Sequence, residues 1–150
     1  MASQEQQLHE LLTYCMQFAE LMLRDAGEFY PFGATTGLDG QVRAVGGSDG
    51  TEHPDPREIF AMLGESFAAE AGAGSILGAA LAANVDVPAD YEAPYPDALR
   101  VHLEAPGFSR QVYVPYKLSL KGLFRKSREV TFAEPFSVQV PPSFFVTAGA

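Results

Sequence analysis

The sequence predicts an α+β fold, with two helices packed on a largely antiparallel sheet of five to six strands in the order α-β-β-α-β-β-β-β-β. Three observations carry this expectation. An apolar stripe at helical spacing runs through the first 26 residues. A well-marked helix start stands at Asp55-Pro56. From Leu99 onward the chain breaks into short alternating segments parted by Pro and Gly.

The first segment, Gln4 to Ala26, is read as an amphipathic helix. Leu8, Leu11, Leu12, Cys15, Ala19, Met22 and Leu23 form one stripe, and Glu20 and Arg24 are placed as an i, i+4 pair. Gly27 suits the left-handed position that closes many helices. The aromatic stretch Phe29-Tyr30-Pro31-Phe32 follows, and Pro31 prevents the helix from continuing through it. Asp39-Gly40 between two short extended runs is a hairpin signal, because both residues tolerate positive φ.

The polar loop 46–54 leads to a second helix, in which Asp55 caps, Pro56 takes the first helical position and Glu58 completes a capping box. Ile59, Phe60, Leu63 and Phe67 give that helix its apolar stripe, and it is expected to stop near Ala71. Ser75 to Val87 is rich in alanine, which favours helix. Alternation of Leu77, Ala79, Leu81, Ala83, Val85 and Val87 instead supports a strand, expected to be central, with small residues that let a helix pack closely. Leu99, Val101 and Leu103 alternate with Arg100, His102 and Glu104, the pattern of a half-exposed strand. Gln111–Pro115, Glu129–Ala133 and Phe136–Val140 supply further strands. Both helices are expected on one face of the sheet, within a single domain over residues 1–150 that ends in a C-terminal tail at 141–150.

The 150 residues and a 47% hydrophobic fraction suit one core. A single cysteine excludes an internal disulfide and any site built on paired thiolates. The N-terminal residues lack the pattern of a signal peptide, and the most apolar stretch, Ser75–Val85, is about ten residues long, too short for a bilayer. A cytoplasmic protein with no membrane association is therefore expected. The net charge of −9 is uneven. Residues 1–97 hold sixteen acids and three bases, a net of −13, whereas residues 98–150 hold three acids and seven bases, a net of +4. The acidic part would be repelled by phosphate backbones, so no nucleic-acid binding is expected.

No motif marks a catalytic centre. Cys15 lies in the apolar stripe, where a free thiol behaves as a small hydrophobe, and His9 stands on a different side of the same helix. His9, His53 and His102 lack metal-ligand spacing, and the acidic loop Asp49-Glu52-His53-Asp55 lacks the ligand order of a calcium loop. The glycines at 46–47 and 72–74 lack the Lys-Ser/Thr of a phosphate loop and serve turns. The expectation is no catalytic residue, no metal and no cofactor. Lys117, Lys121, Arg125, Lys126 and Arg128 place five positive charges within twelve residues, a surface for an acidic partner or a solvated connection. The aromatic segment 29–33 is either a helix-to-sheet junction wedged into the core or a binding surface. In the second case the candidate binding residues are Phe29, Tyr30 and Phe32, joined by Tyr113 and Tyr116 as the wall of a groove, since tyrosines bury area while keeping a polar tip.

The stretch Ala26-Gly-Glu-Phe-Tyr-Pro-Phe-Gly-Ala34, with Asp39-Gly-Gln-Val42 after it, resembles a segment of small bacterial protein families that have a helix before it and a second helix after it. The resemblance covers about a fifth of the chain and implies neither an activity nor catalytic residues. The functional expectation is a non-enzymatic bacterial protein-binding or interaction domain, of immunity or inhibitor type in one version. Self-association as a homodimer through the Phe144-Phe145-Val146 tail is a further expectation. The alternative is a small-ligand or enzyme domain with a pocket between sheet and helices, where Glu28, Tyr30, His102 and Tyr113 would supply polar groups.

Overall fold

The computed structural model describes residues 3–46, 54–123 and 127–146. Helix α1 (Gln4–Ala26) starts on a capping box. The Ser3 hydroxyl accepts from the Gln6 amide, and the Gln6 side chain accepts from the Ser3 amide. The helix ends at Gly27, whose φ of 78° lets its N–H reach the Leu23 carbonyl at 2.9 Å. Helix α2 (Pro56–Gly72) is capped by Asp55, which accepts from the Arg57 amide at 2.9 Å. It runs one residue beyond the stop expected at Ala71.

The strands are β1 (Phe32–Gly37), β2 (Val42–Gly46), β3 (Ile76–Asp86), β4 (Asp97–Ala105), β5 (Phe108–Lys121), β6 (Ser127–Phe132) and β7 (Phe136–Gln139). The element order is the expected one. Every pairing is antiparallel, along the path β2-β1-β3-β4-β5-β6. The fourteen-residue β5 is long enough for two partners on one edge, pairing β7 through Arg110–Tyr113 and β6 through Tyr116–Lys121. This makes a seventh strand. Strand β3 is central as expected, between β1 and β4.

The two helices lie on opposite faces of the sheet, which corrects the expectation of one shared face. Strand periodicity decides this, because successive side chains alternate faces. Ala80 and Ala82 of β3, with Leu99, Val101 and Leu103 of β4, pack with Leu8, Leu11, Cys15, Ala19 and Leu23 of α1. Ala79 and Leu81 of the same β3 pack with Ile59, Leu63 and Phe67 of α2. Small side chains in β3 thus serve both faces, not one. Adding a Cβ at Gly78 would bring it within 3.3 Å of Leu11.

Gly33 is a close approach of β1 to α2. A Cβ there would stand 2.6 Å from the Ala80 carbonyl oxygen and 2.6 Å from the Phe67 ring. Neither neighbour moves freely, since one is ladder backbone and the other is fully buried. Gly33→Ala is therefore expected to lower the unfolding free energy by about 1–3 kcal/mol, the usual cost of overpacking. Urea denaturation measures it, and an unchanged midpoint would contradict the close packing of α2 on β1.

Candidate functional site

Strand β4 carries the polar side chains that matter. Arg100, His102 and Glu104 point to the α2 face, opposite Leu99, Val101 and Leu103. This row was expected to be half exposed, but His102 is buried and Glu104 has no exposed surface. The reason is the segment that follows β7. Residues 140–145 fold back over β4, and Phe144 is buried against the Phe67 ring at 5.6 Å and the His102 ring at 5.1 Å. The expectation that this tail must find cover on a second copy loses its ground for Phe144. Phe145 is half-buried, and only Val146 is well exposed.

Glu104 holds that segment. One carboxylate oxygen accepts from the Ser143 amide and the other from the Phe144 and Phe145 amides, each at 2.6 Å. His102 Nε2 lies 2.7 Å from the first oxygen, and the Ser109 hydroxyl completes the shell at 3.5 Å. An ionised carboxylate only accepts, so the imidazole presents an N–H on Nε2. Burial pushes the Glu104 acid up, but the bonds from His102 and the three amides outweigh it and hold the group below its ordinary value.

The sign of the pH effect follows. A depressed folded value makes the contribution of Glu104 to stability complete well above 4.5, the group's ordinary value. It is lost as pH falls through the lower folded value. Glu104→Gln is expected to cost about 2–3 kcal/mol at pH 7, within the range for losing charge-assisted bonds to buried donors. The gap between it and wild type should close as pH falls below the ordinary carboxylate range. Urea midpoints of both proteins across that range measure this, and a gap independent of pH would contradict the charged clamp.

Beside this clamp the α2 face is left partly open. Helix α2 covers β1 and β3, residues 140–144 cover the far part of β4, and a groove in two lobes remains between them. The strap lobe, about 810 Å³, has Phe60, Gly64 and Ala68 on the helix side, Pro141–Phe144 opposite, and Leu81, His102 and Gln111 of the sheet in its wall. The junction lobe, about 490 Å³, is bounded by Glu28–Pro31, Pro56, Arg57, Ala83 and Asn84. Phe60 and Arg100 belong to both lobes. The Arg100 guanidinium lies over the Phe60 ring, 5.7 Å from its centroid. Among the described residues no carboxylate pairs with it.

The five aromatic candidates do not form one surface. Phe29 and Phe32 are buried in the α1-side core, Phe32 against Phe18 with centroids 4.6 Å apart. Tyr116 is buried on that same side, and its hydroxyl donates to Asn84 at 2.7 Å. Burial first, then the Asp97 and Asp86 charges, push its phenol up against the lowering effect of Asn84, so it stays a neutral donor. Tyr113 is buried on the opposite face, stacked on Phe136 at 5.2 Å with Tyr91 edge-on at 5.4 Å. Of the five, Tyr30 alone is exposed, at 44%; it lines the junction lobe, to which the buried Phe29 also contributes. Of the alternative polar set, Glu28 and Tyr30 line the junction lobe and His102 the strap lobe, whereas Tyr113 lies in neither.

Cys15 is sealed, and burial pushes its thiol up to about 12. In the native chain it is expected to remain unlabelled by a chromogenic disulfide reagent at pH 8 and to react once unfolded. Rapid native labelling would contradict its place in the core.

Among the described residues no cluster of three or more metal-ligating side chains forms, and no helix is long and apolar enough to cross a membrane. Asp49, Glu52 and His53 lie outside the described residues, as do Phe124, Arg125 and Lys126. Of the remaining basic residues, Lys121 pairs with Glu129 at 3.0 Å, and Arg128 donates to the Asp25 carbonyl at the end of α1 at 3.1 Å. No protein-family model matches the chain, and no curated protein or solved structure matches it either.

Proposed function

We propose that this chain is a non-enzymatic protein-binding domain that seats a segment of its partner in the groove on the α2 face. The observation that carries the reading is Arg100. It is a half-buried residue whose guanidinium lies over an aromatic ring, with no carboxylate partner among the described residues, at the place where two lobes meet. Desolvating a cation without pairing it is costly, and a partner's anion offsets that cost at the moment of binding. The walls add apolar area through Phe60, Leu81 and Phe144. The net charge of −9 steers a partner of basic overall charge toward the chain, as in an inhibitor that captures a basic protein.

A second reading has one observation in its favour. His102 lines the strap lobe with its ring oriented by Glu104, the arrangement of an imidazole base. Against it, the same carboxylate is committed to three backbone amides. The clamp accounts for the pair without chemistry.

Selecting a displayed random peptide library on the folded chain tests the first reading. Recovered peptides are expected to share an acidic residue beside apolar ones and to lose about tenfold or more in affinity for Arg100→Ala, the loss of one charge-assisted contact. Peptides that bind Arg100→Ala and wild type equally would overturn it.

A further inference from the structure

The junction lobe contains a charge arrangement that the core does not require. Arg57 stands in the first turn of α2, where a cation opposes the helix dipole, so its position does not stabilise the helix. Its side chain and that of Arg100 line one cleft of about 490 Å³, and neither guanidinium has a carboxylate partner among the described residues. Glu28 lines the cleft as well, and it too forms no ion pair among the described residues. Two cations and one anion leave the lining at net +1. Apart from Asn84, whose side-chain oxygen accepts from Tyr116, the remaining walls are apolar or aromatic, and they include the exposed Tyr30 and the half-buried Phe60.

From these residues we infer that the junction lobe is a carboxylate-binding site, taking a singly charged organic acid group attached to an apolar or flat body. Arg100 and Arg57 hold the two oxygens. Arg100 is suited to this because its guanidinium, over the Phe60 ring and without a carboxylate partner among the described residues, keeps the planar fork of donors that matches a carboxylate. The body of the ligand lies against Phe60 and Tyr30. A single negative charge balances the net +1 of the lining, whereas a dianionic phosphate would stand uncompensated beside Glu28. The carboxylate comes either from an acidic group of a protein partner or from a free small acid, and the chemistry recognised is the same. This site rests on the reading of the α2-face groove as the binding surface.

The test uses the full chain with sodium benzoate as probe, benzamide as its neutral isostere and inorganic phosphate as a second anion. Binding is followed by calorimetry and by the guanidinium Nε–H resonances of Arg57 and Arg100. Benzoate is expected to bind saturably and to move both resonances, with benzamide and phosphate each weaker. Arg57→Gln, at an exposed position that leaves folding intact, and Arg100→Lys, which keeps the charge but loses the planar fork, should each weaken benzoate by about tenfold. Equal binding of benzamide, tighter binding of phosphate, or undiminished benzoate affinity in both variants would overturn the assignment. A short peptide with a free C-terminal carboxylate and its amide separate the two sources. Loss of binding on amidation identifies a chain terminus or small acid, and retention that depends on an internal Asp or Glu identifies a side chain. If displayed peptides depend on Arg100 while benzoate moves neither resonance, the groove reading stands and this site falls.

Discussion

A single buried carboxylate sets the shape of the α2 face. Glu104 sits inside the sheet with no exposed surface and still carries its charge, because five donors converge on it, three of them main-chain amides from residues forty positions away. An isolated ion in that position would carry a large desolvation penalty. The folded-back segment removes the penalty and in turn satisfies its own amides, so each arrangement requires the other. Phe144 is the apolar half of the same closure, filling the space between Phe67 and His102. Residues that read as a tail therefore form one wall of the groove.

The two faces of the sheet are closed by different means, and the difference explains where the groove lies. On one face the 23-residue α1 presents a continuous stripe from Leu8 to Leu23, which meets β1, β3, β4, β5 and β6 in one apolar cluster that takes in Phe29, Phe32 and Tyr116. On the other face the 17-residue α2 offers three buried anchors and covers β1 and β3. The C-terminal segment covers the far part of β4. The two covers meet where Phe144 packs on Phe67, and beside that contact Arg100 with Phe60 is left at the opening.

Much of this was legible in the sequence because it is local. The stripe of α1, its stop at Gly27, the cap at Asp55 and the Asp39-Gly40 hairpin each depend on residues within one or two turns, and each stands where the pattern put it. Strand β3 was readable despite its alanines, since alternation outweighed helix propensity. What the pattern missed is non-local. Arg100, His102 and Glu104 alternate with apolar neighbours as in any half-exposed strand, and nothing near them announces that Ser143–Phe145 will cover two of the three. The one available signal was a glutamate in a strand that later lies centrally, with an apolar Phe-Phe-Val left over at the chain end. The opposite placement of the helices was visible only as small residues on both alternating faces of β3.

The aromatic junction gains its meaning from this division. Phe29 and Phe32 face into the α1 core and fix the turn from helix to sheet, while Tyr30, between them, faces the groove with Glu28. Gly33 then lets β1 press against Phe67 of α2. A short stretch thus contacts both layers: alternate residues anchor it to one face and shape the opening on the other. Because Phe29 and Phe32 are buried in the α1-side core, this wall of the junction lobe is anchored from behind. Such anchoring lowers the entropic cost of binding and suits a site whose charged group, Arg100, already lies over the Phe60 ring.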